Sequence, residues 1–177
     1  LLIGLTRVLP GRARDLSAAL DSLLRLGVFD VDELLDNVER FAKQRGVCQL
    51  RLLAPLADGG SASPGESATR LHWLDAGLPR PELQIPYAED GREIYYLDMG
   101  LPELRFAAEY DGEEWHSAHE DIEHDRRRRT YLRRVGGWQI EEFRKQNVFG
   151  GQQDADWALR DAIVIARHSF DRRTRHL

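Results

Sequence analysis

Four acidic residues, Glu66, Asp98, Glu109 and Asp111, stand where a chain could gather negative charge at one point. Asp98 closes the apolar run IYYLD. Glu109 and Asp111 lie two apart at the end of LRFAAEYD, so their side chains leave an extended strand on the same side. Glu66 follows Ser63 by three residues, in the first turn of a predicted helix. Carboxylates gathered at the ends of buried strands repel one another and are costly to desolvate unless something cancels their charge. A divalent cation does so, and Mg²⁺ is commonly held by one or two carboxylates while keeping waters for a substrate phosphate. Each acid alone has a plainer explanation. Glu66 suits a capping box with Ser63, Asp98-Met99-Gly100 a turn, and Asp111-Gly112 a hairpin turn. Their joint placement at consecutive strand ends favours the cation.

The charge along the chain sharpens this. From Asp98 to Asp125 there are ten acidic residues against one basic, Arg105; from Arg126 to Arg134 there are six arginines and no acid. An acidic pocket beside an arginine bank can hold cations and a polyanion together. Arg126, Arg127, Arg128, Arg129 and Arg133 are the candidate phosphate contacts, although a solvated helix face with i,i+3 and i,i+4 pairs to Asp125 explains such a run too. The net charge of −5 argues against a protein that coats nucleic acid without specificity. His116, His119 and His124 invite a zinc reading, but no cysteine stands beside them to complete a tetrahedral site.

The elements that must position these residues follow from periodicity. DLSAALDSLLRLG carries leucines at helical spacing and ends on Gly27; DVDELLDNVERFAKQRG starts at an acidic cap, Asp30 or Asp32, and stops at Gly46; VCQLRLLAPL reads as a third short helix. The small-residue stretch ADGGSASPGES, residues 57–67, is the best boundary in the chain. Beyond it, Ser63 with Pro64 marks a helix start. Extended segments follow at about 82–88, 93–98 and 104–110, then a polar helix at about 118–135, a strand from Trp138 and a helix at about 154–168. That order predicts an α/β fold, with a helical segment over 1–60 and a second unit over 61–177.

With these elements in place, the spacing D98-x10-E109-x-D111 after an upstream helical acid resembles the PD-(D/E)xK nuclease superfamily. More closely, the run SPGES, GLPRPELQ, PELRFAAEYDGEEWH and DRRRRTYLRRVGGWQI, over roughly residues 61 to 150, is similar to a branch near the very-short-patch-repair (Vsr) endonucleases. The resemblance implies a restriction-endonuclease-like, four-stranded mixed sheet flanked by helices. It implies Mg²⁺- or Mn²⁺-dependent hydrolysis of DNA phosphodiesters, in repair or defence. Carried over, Glu66 matches the first-helix acid, Asp98 the central aspartate and Glu109 the (D/E) position. Metal would sit on Asp98 and Glu109, with Asp111 or Glu66 on a second ion or through water. Asp111 stands where the superfamily has its lysine, which leaves His116 as stand-in, either activating water or donating a proton to the leaving group. The structural zinc of Vsr-like enzymes has no counterpart cysteines here.

At 177 residues the chain supports one well-cored domain with a satellite. No apolar run approaches the ~18–20 residues of a membrane span. Leu1 opens no signal pattern, so the chain reads as a piece of a longer protein with a further module upstream. The single Cys48 points to a reducing cytoplasm. The expectation is a metal-dependent DNA endonuclease domain. The alternatives are a catalytically inactive DNA-binding module and a toxin–antitoxin-type regulator that keeps the nuclease fold.

Overall fold

The structure, a computed structural model, describes residues 10–89, 92–112, 119–150 and 154–174. Helix α1 spans Pro10–Arg25 and its connection to the next element turns at Gly27, whose φ of 66° is costly for any side chain. Helix α2, Val31–Val38, begins on a reciprocal capping box: Glu33 N–H donates to Asp30 Oδ1 at 2.8 Å, and Asp30 N–H donates to Glu33 Oε2 at 3.1 Å. It is shorter than its apolar pattern predicts. The Asn37 side-chain amide donates to the Glu33 carbonyl at 2.7 Å, competing with the helical backbone, and a 3₁₀ turn over Glu39–Phe41 follows. Helix α3, Val47–Leu53, starts after Gly46 at φ 90° and runs into a 3₁₀ turn, Ala54–Leu56.

Helix α4, Pro64–Asp75, is capped by Ser63, whose hydroxyl accepts the Glu66 N–H at 3.1 Å. Strands β1 (Glu82–Glu89), β2 (Arg92–Leu101), β3 (Phe106–Asp111) and β4 (Gln139–Arg144) form one sheet in the order β1-β2-β3-β4. The first two pairings are antiparallel and β3–β4 is parallel. The parallel pair needs a crossover, which is helix α5, His119–Arg134. A short helix α6, Lys145–Val148, and the long α7, Ala155–Thr174, close the chain.

Two cores follow from the alternation of side chains along the strands. Phe106 and Ala108 of β3, Met99 and Leu101 of β2 and Phe143 of β4 pack against Trp73 of α4 and Leu159 and Ile163 of α7. Trp73 stacks on Phe106 with ring centroids 5.3 Å apart. Ala107 and Ile140, pointing the other way, pack with Leu132 of α5. β1 and β2 change face partway along: Leu83 and Met99 belong to the first core, Ile85 and Leu97 to the second. Gln84, at φ 49°, and Asp98 lie between them, at the point of reversal.

The helices before residue 57 are fastened to this sheet unit through α4. Leu20, Leu53 and Ala57 enclose Leu71, and Arg70 donates to both carboxylate oxygens of Asp21 at 2.8 Å with both residues buried. Arg14 also donates to the Val148 carbonyl at 2.8 Å. The connecting stretch is tethered as well, since Asp58 N–H donates to Asp21 Oδ1 and Arg80 reaches the Asp58 carboxylate.

Candidate active site

Asp98 lies inside β2, not at its end. The strand runs on to Leu101 because Gly100 is no turn former here. It faces Ala107 across the ladder, and a Cβ at position 100 would collide with the Phe106 carbonyl oxygen. The β2–β3 pairings step from Leu101↔Phe106 to Met99↔Ala108. Beyond that point the ladder gives way to a side chain, and Tyr110 N–H donates to Asp98 Oδ2 at 2.8 Å. β3 itself begins at Phe106, later than the sequence pattern suggests. Pro102–Leu104 form a 3₁₀ turn and Arg105 takes a left-handed φ of 51°.

On the other side of β3, Glu109 is in register with Glu142, and Asp111 with Arg144. Glu109 and Glu142 thus lie side by side on the face covered by α5, and Asp98, at the point where β2 changes face, lies within the electrostatic reach of Glu109 and Arg128. The helix places arginines over this row of glutamates. Arg128 donates to Glu109 Oε2 at 2.9 Å and to the Tyr96 carbonyl at 3.0 Å. Arg129 donates to Glu109 Oε2 at 3.2 Å and to Glu142 Oε2 at 2.5 Å, and stands 3.7 Å from Asp111. Arg133 donates to Glu142 Oε1 and to the Ile140 carbonyl. Arg144 approaches Asp111 at 3.4 Å.

The sequence leads to a cation as the compensating charge. In the described residues, three arginines of α5 and Arg144 compensate it, which is a different use of Arg128, Arg129 and Arg133 from phosphate contact. The physical reason lies in the parallel β3–α5–β4 crossover. It lays the helix across the acidic row, and guanidinium groups satisfy carboxylates in several directions at once. Arg126 and Arg127 point to the exposed side.

Glu66 is nearly buried and its carboxylate does not return to Ser63. Its Oε2 accepts Ala62 N–H at 2.7 Å and Gln84 Nε2 at 3.1 Å, so α4 is linked to the kinked point of β1. Burial pushes the Asp98 carboxyl up to about 7, and the negative charge of Glu66 adds to this; the Tyr110 N–H opposes it, Glu109 raises it further and Arg128 draws it back. The Glu109 carboxyl is likewise raised by burial, with Arg128 and Arg129 opposing. Its Oε1 is buried without a hydrogen-bond partner among the described residues, an unusual condition for a carboxylate oxygen. Three acids therefore share one electrostatic neighbourhood, as their types and spacing suggest, with Asp111 in the adjoining row. Among the described residues, no group of three or more His, Cys, Asp or Glu is arranged to ligate a common ion. His116, with Glu113, Glu114 and Trp115, lies outside the described residues.

Glu142, Gln84 and Arg144 join the site without having been singled out in the sequence. Glu142 alternates with Ile140 in WQIEEF, which marks its face, but only the strand register with β3 brings it to Glu109.

Two proteins of Mycobacterium tuberculosis, from different strains and described as uncharacterized, are each 38% identical to this chain over 123 residues. The match covers 70% of the chain and 45% of each relative, so the chain spans about half the length of the curated relatives it matches. No family model matches the sequence. No solved structure matches it either. Among the described residues, no helix is long and apolar enough to cross a membrane.

Proposed function

We propose that this protein is a restriction-endonuclease-like, Vsr-like nuclease domain that hydrolyses DNA phosphodiester bonds with Mg²⁺ or Mn²⁺. One observation carries the reading: buried Asp98 lies within the electrostatic reach of both Glu66 and Glu109, and Glu109 keeps a buried oxygen with no partner among the described residues. Such an oxygen suits a cation, and two carboxylates suffice where water and substrate complete the coordination. Asp98 and Glu109 would hold the ion. When bound, it would lower the pKa of an attacking water and offset charge on the phosphoryl oxygens.

The residues of the chain supply the rest. The Asp98 carboxyl, pushed up to about 7 by burial, would have to lose its proton to hold the ion, so function would rise as pH passes upward through neutrality. Arg128 and Arg129 hold the second side of Glu109 and fix its rotamer. They are also the cations nearest to any phosphate brought to that carboxylate. Glu66 orients Gln84 and raises the local negative potential that draws a cation in. His116 is the proposed proton-transfer group.

A second reading rests on those same guanidinium groups. Because Arg128 and Arg129 already offset Glu109, the site would be stable without metal, as in a DNA-binding or toxin–antitoxin-type module that keeps the fold without turnover. Incubation with supercoiled plasmid and Mn²⁺ separates the two. The nuclease reading expects nicking that falls at least ~100-fold in Asp98→Ala and in Glu109→Ala. Absence of nicking, or nicking unaffected by both substitutions, rejects it.

A further inference from the structure

We propose that the outer face of α5 is a groove for the phosphate backbone of DNA, formed by Arg126, Arg127, Tyr131 and Arg134. This rests on DNA as the ligand in the reading above, but not on turnover. The six arginines of the helix divide into two sets. Arg128, Arg129 and Arg133 turn inward to Glu109 and Glu142. Arg126, Arg127 and Arg134 recur at helical spacing on the opposite side, where they line a surface groove of roughly 350 Å³ with Glu123, Tyr131 and Val135.

The side chains of Arg126 and Arg134 are exposed and make no hydrogen bond or ion pair among the described residues. Arg127 has only a loose contact with Glu123 at 3.4 Å, with 81% of its own side chain exposed, so that pair holds it weakly. Among the described residues, three cations thus line the groove with one acid, Glu123, in a protein whose net charge is −5. The floor is packed from beneath: the Tyr131 ring lies edge-on to Tyr87 at 6.2 Å and against Tyr95 at 6.3 Å. An apolar floor with cationic rims fits a sugar–phosphate chain.

The dimensions agree. Arg126 and Arg134 are eight residues apart, about 12 Å along a helix at ~1.5 Å per residue. Phosphates of one strand rise ~3.4 Å apart along the duplex axis and lie further apart along the backbone itself, so the two ends of the groove meet different phosphates of one strand. The groove and the acidic row lie on opposite sides of one helix about 10 Å thick.

Anisotropy of a short fluorescein-labelled duplex, titrated with the protein in EDTA at several KCl concentrations, tests this without turnover. Arg126→Gln/Arg134→Gln is expected to weaken binding at least ~10-fold and to flatten the slope of log K against log[KCl] by about 1.8, near 0.9 per lost phosphate contact. Arg40→Gln/Arg51→Gln removes the same charge from the helices before residue 57 and is expected to leave both unchanged. A groove variant with wild-type affinity and slope overturns the proposal. So does an equal loss in the control pair, or displacement of the duplex by polyglutamate as readily as by unlabelled duplex. If the wild type binds no duplex at all, the DNA reading itself falls. Binding without nicking spares the groove and rejects only turnover.

Discussion

Asp98 carries a burden in the folded protein that it does not carry in the unfolded chain. Its carboxyl rises from 3.8 to about 7, because burial and the neighbouring Glu66 both disfavour the anion. Between those values the folded state holds more protons than the unfolded state. Stability is therefore lost as pH rises from about 4 to about 7, and the full penalty stands above 7. Asp98→Asn removes it. In EDTA, the variant should gain about 1–3 kcal/mol over wild type near pH 8 and little near pH 5, as read from thermal melting at the two pH values. A gain confined to acid pH would contradict the assignment. On the proposed metal-dependent reading, Mg²⁺ should raise the melting temperature of the wild type and leave that of Asp98→Asn unmoved, because a cation there would replace the proton on the same oxygen atoms.

The element that positions Asp98 is β3, and β3 is set by its contact with α4. Gly65 lies in the first turn of that helix with the Tyr110 ring directly against its backbone, so that a Cβ at position 65 would overlap the ring. Tyr110 is the residue whose N–H holds Asp98, and its ring meets Phe149 edge-on at 6.3 Å. Gly65→Ala, normally favourable within a helix, should instead cost about 1–3 kcal/mol in urea unfolding. On the proposed nuclease reading, it should also lower Mn²⁺-dependent nicking by shifting the Tyr110 backbone. An unchanged urea midpoint would show that the ring moves aside freely. Helix α5 has a comparable double role: its inward arginines neutralise the acidic row and its outward arginines make the groove, so one polar helix joins both surfaces.

At the scale of the molecule, the buried Arg70–Asp21 pair joins the N-terminal helices to the sheet unit. Removing one partner of such a pair leaves a charge in a medium that cannot solvate it. Asp21→Asn should cost about 3–5 kcal/mol in urea denaturation, whereas Asp21→Leu with Arg70→Met should recover most of that loss. If the two segments were independent, Asp21→Asn would lower one transition and leave a second in place; a single displaced transition is the expected outcome. Leu71 within the core of the N-terminal helices, and Arg14 on the Val148 carbonyl, favour this cooperative behaviour.

Local physics was legible in the residues themselves. Asp30 and Ser63 announce helix starts through their capping chemistry, Gly27 and Gly46 mark left-handed breaks, and the α/β order with four strands follows from period alone. Strand alternation could not say where the Asp98 carboxylate points, because β2 changes face at that residue, between Leu97 and Met99. The extent of β2 was not legible either, since Met99-Gly100 reads as a turn until Ala107 is seen pressed against Gly100. Nor could the sequence say what offsets the acids. It holds carboxylates and arginines in adjacent blocks, and whether they meet each other or separate ligands depends on the path of the β3–α5–β4 crossover. That path puts Arg128 and Arg129 onto Glu109 and Glu142 while leaving Arg126 and Arg134 in solvent. Residue types and spacing determined which charges exist and which side of a strand they leave. Only the packing of α5 on the sheet decided their partners, because electrostatic pairing falls with distance in space and takes no account of separation along the chain.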